Sequence, residues 1–516
     1  MDSSKIKALI VAILAIFAAL YLGITAATAQ FETIAWVLGT LILSLCLLLG
    51  RRIWLIIPFV ASLELTVMVP GRPTIVLLGQ VLFVGFAILL LLMRKLPFRL
   101  AISELEFWTL LLFLCVIQVY TRNPTGIDLL GGSTVGGRPY IIFASSLIAT
   151  IILCGIRVPV SELRLMLRLS ILGGILHMCF SVVGGLIPGL GRWYGMGAGM
   201  SQGTRSPDEV YDSSAATRLE FLAVIAPDVA LWVSTFISPL KACIKPLWAL
   251  LVLLSLGVAA ASGFRNVVGA VCLTYAVGVM YRGGFLSIVA SVLAGIAGLG
   301  FLAIVNLTFP LPANIQRSLS FLPGTWEQSY RLDAKASSDW RFEMWEEVLT
   351  TDRWIKNKTF GDGLGFTAAE LATQQNLAEQ RGLGLSGFDQ QRESILVNGD
   401  YHSGPVSTIR TIGYVGLAVL LLAKIRLAVH AHRQIMRCKG TEWFALALFT
   451  GIPLIWAPVF FVFIFGGFSL DSVSFLAGVA MVRLLENNLP LPAYAKQRRR
   501  LQSQIPSPTL RERSPA

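Results

Sequence analysis

Charged side chains are scarce in this chain: Asp, Glu, Lys and Arg supply 14% of 516 residues, against about 25% in a soluble domain. With 55% of the residues hydrophobic, that scarcity excludes an ordinary soluble globular protein. Cysteine is equally sparse. Of 7 cysteines, Cys46, Cys115, Cys154, Cys179 and Cys272 fall within apolar runs, and Cys243 and Cys438 fall on or near short basic connectors. None lies in a long polar segment, so no disulfide framework is expected. There is no CxxC, no Cys/His zinc spacing and no acidic metal cluster, so the reading carries no metal and no cofactor. Two-residue alternation is also missing, which removes a membrane barrel. No half of the chain repeats, against the pattern of transporters built from paired broken helices.

What is present is a long series of apolar runs, each able to cross a hydrocarbon core of about 30 Å. They predict an all-α polytopic membrane protein with about fourteen transmembrane helices. The runs lie near 8–28, 31–50, 53–69, 74–93, 105–120, 138–156, 166–189, 217–238, 246–262, 266–281, 284–306, 405–423, 443–465 and 469–484. The first reads as a retained anchor.

Orientation follows from the basic connectors. If Lys5 and Lys7 are cytoplasmic, then Arg51 and Arg52, the cluster Arg94, Lys95 and Arg99, and Arg157, Arg164 and Arg168 are too. Lys241, Lys245 and Arg282 follow, then Lys424, Arg426, Arg433, Arg437, Lys439, and the tail with Lys496 and Arg498 to Arg500. Both termini are expected inside. The net charge of +13 is thus a topology signal, with attraction to anionic membrane lipids. Basic residues divided among short loops do not form a nucleic-acid surface, so no nucleic acid is expected.

The chain then divides into a first bundle (1–306), a large, mostly helical outer loop (307–404), the last transmembrane helices (405–485) and a basic, disordered cytoplasmic tail (486–516). Two smaller outer segments are 121–137, rich in glycine, and 190–216. Within the large loop, Ser337 to Leu349 reads as a helix capped by Ser338, with Asp339 at its positive end. Trp340, Met344, Val348 and Leu349 form its apolar face. Trp345 and Trp354 suit the headgroup level. Arg341, at the edge of that face, can offer its guanidinium to an anion or pair with Glu343 or Glu347. Phe360-Gly361-Asp362-Gly363-Leu364-Gly365-Phe366 is either a turn or a close backbone approach to a ligand.

Among the 4 histidines, His402 alone stands at the border of the polar loop and a hydrophobic helix. His177 lies in an apolar span, and His430 and His432 lie in a basic connector. Arg265 stands at the outer end between two spans, where it either snorkels to headgroups or binds an anion. Arg410, eight residues after His402, is expected two helical turns below it. Asp228, within a span after Pro227, could partner Arg410 or bind backbone, and Glu64 is a weaker case.

The order of these elements resembles the O-antigen ligase and polymerase superfamily. Arg265 comes between spans, then the outer loop with Arg341-x-x-x-Trp345, the Gly-x-Gly-x-Gly turn, and Tyr401-His402-Ser403 leading to Gly413. The His402-x10-Gly413 spacing matches the ligase pattern, and the motifs cover roughly residues 255–425. Ligases often carry Leu where Trp345 stands, so ligase and polymerase both remain open. The resemblance implies a bacterial inner-membrane enzyme with a periplasmic site. It would move a saccharide from undecaprenyl diphosphate to a hydroxyl of a glycan, a lipid A core or a protein. Arg265, Arg341 and Arg410 would hold the diphosphate. His402, whose type titrates near 6.5, would take the hydroxyl proton. Tyr401, Trp345 and Gly413 would support them. A single direct displacement inverts the anomeric carbon. A lipid-linked sugar transporter or flippase is the alternative, and a non-catalytic assembly protein a third reading.

Overall fold

The computed structural model describes residues 46–66, 73–125, 136–187, 219–320, 324–367, 395–399 and 401–489, with isolated positions between 39 and 44 and at 370 and 372. The expected span 8–28, most of 31–50 and 190–216, and the tail after 489 lie outside these residues. Among the described residues the architecture is all-α; two isolated β-bridges, Thr66–Thr74 and Phe98–Ile156, are present and no strand is.

A 3-10 segment, Gly50–Leu55, leads into α1 (Ile56–Leu63). There follow α2 (Ile75–Leu92), α3 (Glu104–Arg122), α4 (Arg138–Gly155), α5 (Val160–Leu186), α6 (Glu220–Phe236) and α7 (Pro246–Ala261). The remainder are α8 (Arg265–Gly283), α9 (Phe285–Thr308), α10 (Ala313–Leu319), α11 (Gln328–Thr350), α12 (Gly404–Cys438), α13 (Phe444–Phe463) and α14 (Phe468–Asn488). Among the described residues, nine helical segments are long and apolar enough to cross a membrane; α6 and α7 are apolar but shorter. Local chemistry sets several starts. Ser103 and Glu106 form a capping box on α3, with Ser103 N–H donating to Glu106 Oε2 at 2.9 Å. Thr74 caps α2 through Leu77 N–H at 3.2 Å, and Ser403 caps α12 ahead of Pro405.

One end of the bundle gathers the basic connectors. There Glu162 accepts from Arg52 at 3.1 Å and from Trp54 at 3.0 Å. Arg164 meets Glu442 at 2.6 Å, and Arg157 donates to the Asn487 carbonyl at 2.6 Å. Arg483 joins Glu106 at 2.6 Å and Glu486 at 2.7 Å. Following each helix from that end places the α3, α7, α9 and α13 C-termini, and the α4, α8, α12 and α14 N-termini, at the opposite end. The candidate residues lie at that second end.

The helix α12 is not the single straight span 405–423 that its apolar run predicts. It breaks at Gly413, whose φ of 73° and ψ of −179° are not helical. A straight helix would separate positions 404 and 424 by about 30 Å. Yet both reach Phe461 of α13. A Cβ on Gly404 would lie 2.3 Å from the Phe461 carbonyl oxygen, and Lys424 Nζ lies 4.9 Å from the Phe461 ring centre. The segment Gly404–Ile412 therefore folds back beside the rest of α12, and Leu417 packs in one cluster with Val406 and Ile409. Lys424 is also no connector residue: it is buried within α12 and paired with Asp471 on the first turn of α14. Helix continues to Cys438, so the expected inner connector from Lys424 onward is itself helical.

Candidate active site

The loop 356–366 is joined to the break in α12 by backbone hydrogen bonds. Opening the helix at Gly413 releases amides and carbonyls, and the loop takes them up. Asp362 N–H donates to the Arg410 carbonyl at 2.7 Å and Gly363 N–H to the Thr411 carbonyl at 3.1 Å. In return, Tyr414 N–H donates to the Lys358 carbonyl at 2.8 Å and Val415 N–H to the Thr359 carbonyl at 3.2 Å. The two chains touch through glycine. A Cβ on Gly413 would stand 2.2 Å from the Thr359 oxygen, and one on Gly361 2.5 Å from Ile412 N, both at positive φ. The Asp362 carboxylate holds the loop turn by accepting from Lys356 N–H at 2.7 Å and Asn357 N–H at 2.9 Å.

Two more helix ends fix the same loop. From α3, Arg122 donates to the carbonyls of Phe360 at 3.1 Å and Gly361 at 2.9 Å, and Asn123 donates to that of Asp362 at 2.9 Å. From α4, the Tyr140 hydroxyl accepts from Leu364 N–H at 3.1 Å. The Gly-x-Gly-x-Gly segment is therefore a turn pressed onto backbone of the same chain.

His402 sits at the tip of the folded-back segment. Its φ of 50° is left-handed, a strain of order 1–2 kcal/mol for a residue with a side chain. Its ring lies 5.7 Å from that of Phe465, in the α13–α14 turn. Neighbouring Tyr401 is wholly buried among Met344, Val348, Trp354 and Val406. Its N–H donates to Ser407 Oγ at 3.2 Å, and its carbonyl accepts from Trp345 Nε1 at 2.7 Å. Burial above all pushes the Tyr401 phenol up to about 12, so it stays neutral. Its hydroxyl has no hydrogen-bond partner among the described residues.

Trp345 links His402 to the arginines. It belongs to α11, and Arg341 stands one turn before it on the same face. Arg341 is half-buried, its guanidinium lies 5.7 Å from the Trp340 ring centre, and its Nε is buried without a hydrogen-bond partner among the described residues. Burial first, and then the charges of Arg265 and Arg317, lower its pKa below the ordinary arginine value. Arg265 opens α8 and Arg317 lies on α10, which is anchored by Ser318 Oγ donating to the Ala260 carbonyl of α7 at 2.9 Å. Three guanidinium groups from three helices thus share one region.

Several expectations change. The loop helix begins at Gln328, ten residues before Ser338, so Ser338 lies inside it and caps nothing. Among the described residues Arg341 pairs with neither Glu343 nor Glu347; Glu347 instead accepts from Trp354 Nε1 at 2.8 Å. Trp354 is buried, in one cluster with Met344, Val348 and Tyr401. Arg410 is not below His402, because the fold-back turns it toward the loop 356–366. There its guanidinium lies 3.9 Å from the Phe366 ring centre, donates to the Gly363 carbonyl at 3.3 Å, and abuts Gly399. With 5% exposure it is enclosed by protein and works as a clamp on the loop. Asp228 is not its partner: it faces Gly174 of α5, within electrostatic reach of Glu64. Arg317 and Phe465 carry no motif, and only their position marks them.

No family model matches the chain, and no curated protein matches it either. Among the described residues the fold is all-α, with nine helices long and apolar enough to cross a membrane, and Arg265, Arg341 and His402 lie on elements gathered at one end of it.

Proposed function

We propose that the chain is an inverting glycosyltransferase of the O-antigen ligase or polymerase type, moving a saccharide from undecaprenyl diphosphate to an acceptor hydroxyl. One observation carries this reading. Arg341 shares its surroundings with two further arginines, and its helix is hydrogen-bonded to the carbonyl beside His402. Clustered guanidinium groups repel one another and favour a multiply charged anion such as a diphosphate. The resemblance in motif order supports the same assignment, with about fourteen spans, both termini cytoplasmic and the site on the outer side of a bacterial inner membrane.

Arg265 and Arg341 hold the two phosphates and offset the charge that grows as the sugar–phosphate bond breaks. His402 accepts the proton of the incoming hydroxyl. That oxygen bonds to the anomeric carbon from the face opposite the departing phosphate, inverting it. Tyr401 and Trp345 fix the backbone at His402. Arg410 and Gly413 hold the outer loop in place, and the polyprenyl tail lies between helices facing lipid. The acceptor is a glycan, a lipid A core or a protein hydroxyl.

The test uses the full chain in lipid nanodiscs with lipid-linked saccharide donor, following undecaprenyl diphosphate release. His402→Ala abolishes transfer and leaves donor bound. Arg341→Lys weakens donor binding, because a point charge lacks the two-pronged geometry. Transfer at the wild-type rate by His402→Ala ends the general-base assignment, and donor crossing the bilayer unconsumed by the wild-type chain replaces the enzyme with a flippase.

A further inference from the structure

We infer that Asp471, with Lys424 as its counter-charge, is a positioning residue for His402: it holds the α13–α14 turn whose Phe465 ring faces the imidazole. What the imidazole does is taken from the transferase reading above; how it is held follows from distances.

Support reaches the imidazole from two sides. Trp345 and Ser407 fix the backbone before it, through the Tyr401 carbonyl and amide. On the other side the Phe465 ring lies 5.7 Å away, its plane inclined by 31°. Phe465 belongs to the short turn 464–467 between α13 and α14. That turn contains Gly466 and Gly467, so local chain preference does little to fix it. Asp471 supplies the constraint. Its N–H donates to the Gly467 carbonyl at 2.9 Å, and its Oδ2 accepts from Gly467 N–H at 2.9 Å. Its Oδ1 accepts from Lys424 Nζ, which ties the turn across to α12.

The tie lies beside the fold-back. A Cβ on Gly466 would stand 2.7 Å from Asp471 Oδ2 and 3.1 Å from the Gly404 Cα. The carboxylate and the second residue after His402 therefore bracket one glycine. Lys424 Nζ, 4.9 Å from the Phe461 ring centre, closes the same corner, since Phe461 abuts Gly404. Lys424 is buried, the Asp471 side chain is 15% exposed, and among the described residues Asp471 is the one acceptor that Lys424 reaches. An ammonium and a carboxylate are costly inside an apolar bundle, and an apolar pair of similar size packs two helices at least as well. What an apolar pair lacks is an acceptor for Gly467 N–H. That acceptor is the link to His402, through Gly467 and Phe465.

The experiment compares two double variants of the full chain in nanodiscs, because a single change would strand a buried charge. Lys424→Met with Asp471→Leu removes the acceptor, whereas Lys424→Met with Asp471→Asn keeps an amide oxygen for Gly467 N–H. One readout is the His402 ring signal in NMR of 15N-histidine-labelled chain, assigned by its loss in His402→Ala. The other is transfer from lipid-linked saccharide donor. The Leu pair shifts the signal and lowers kcat about 100-fold, as a displacement of about 1 Å does, with donor affinity held within about threefold. The Asn pair brings signal and kcat back toward wild type. Phe465→Leu, which removes the facing ring and leaves the ion pair intact, shifts the same signal and lowers kcat. A wild-type signal and kcat in the folded Leu pair or in Phe465→Leu overturn the inference, and so does an Asn pair as impaired as the Leu pair. If the signal moves as described while His402→Ala transfers normally, Asp471 still positions the ring and only the transferase reading falls.

Discussion

Gly413→Ala is the sharpest single perturbation of this structure. The residue has a φ of 73° and a ψ of −179°, a conformation essentially confined to glycine that costs a side-chain-bearing residue about 1–3 kcal/mol. The added Cβ would also lie 2.2 Å from the Thr359 carbonyl oxygen, where ordinary contact starts near 3.4 Å. The difference, 3.4 − 2.2, is 1.2 Å, and it must come from moving the loop backbone off the helix. That movement weakens the bonds from Tyr414 and Val415 to Lys358 and Thr359, each worth about 1 kcal/mol. The sum is about 3–5 kcal/mol of stability. A shift of about 1 Å in a supporting element lowers turnover about 100-fold. Thermal unfolding in detergent and transfer in nanodiscs read both effects. Gly295→Ala on α9 is the control, since nothing lies within 4 Å of its added carbon. That substitution should be neutral, or stabilising by up to about 1 kcal/mol. If Gly413→Ala melts and turns over like wild type, the break in α12 is not held by this contact.

Two other side chains give independent tests. Tyr401→Phe removes a buried hydroxyl that lacks a partner among the described residues, so stability at neutral pH rises by about 1–3 kcal/mol. Its raised phenol also costs stability as pH climbs from 10 to about 12, because the unfolded chain ionises first; the Phe variant loses that slope, and an unchanged alkaline profile contradicts the assignment. Trp345→Phe deletes the donor to the Tyr401 carbonyl at 2.7 Å, costing about 0.5–1.5 kcal/mol. It should lower kcat with donor affinity held, and a parallel fall in affinity would mean that Trp345 binds donor directly.

The helical class and the positions of the long apolar helices among the described residues were legible because hydrophobic run length reports them directly. The segment from His402 to Gly413 stood out by its spacing, and its two ends carry the left-handed backbone of His402 and the helix break at Gly413. The fold-back between them was not legible. Hydropathy has no direction, and the run 405–423 reads alike whether straight or bent. The bend is set by amide partners on Lys358 and Thr359, more than fifty positions earlier. Arg410 was misplaced for the same reason: two turns along a straight helix become two turns back toward the loop. Ser338 looked like a cap because Ser-Asp often opens helices, but the preceding residues from Gln328 are helical as well. The place of the short helix that carries Arg317 was not legible, because a short polar helix between prolines has no pattern of its own and its position depends on Ala260 and Glu327.

The loop held jointly by α3 and α12 also has a fixed place in the order of synthesis. Arg122 and Asn123 leave the ribosome long before the carbonyls they bind at Phe360, Gly361 and Asp362, and those carbonyls in turn await Gly413. A nascent chain halted before Gly404 could house every earlier helix and still leave that loop unpinned on one side. Fixing of the loop is therefore a late event, coupled to the folding of α12.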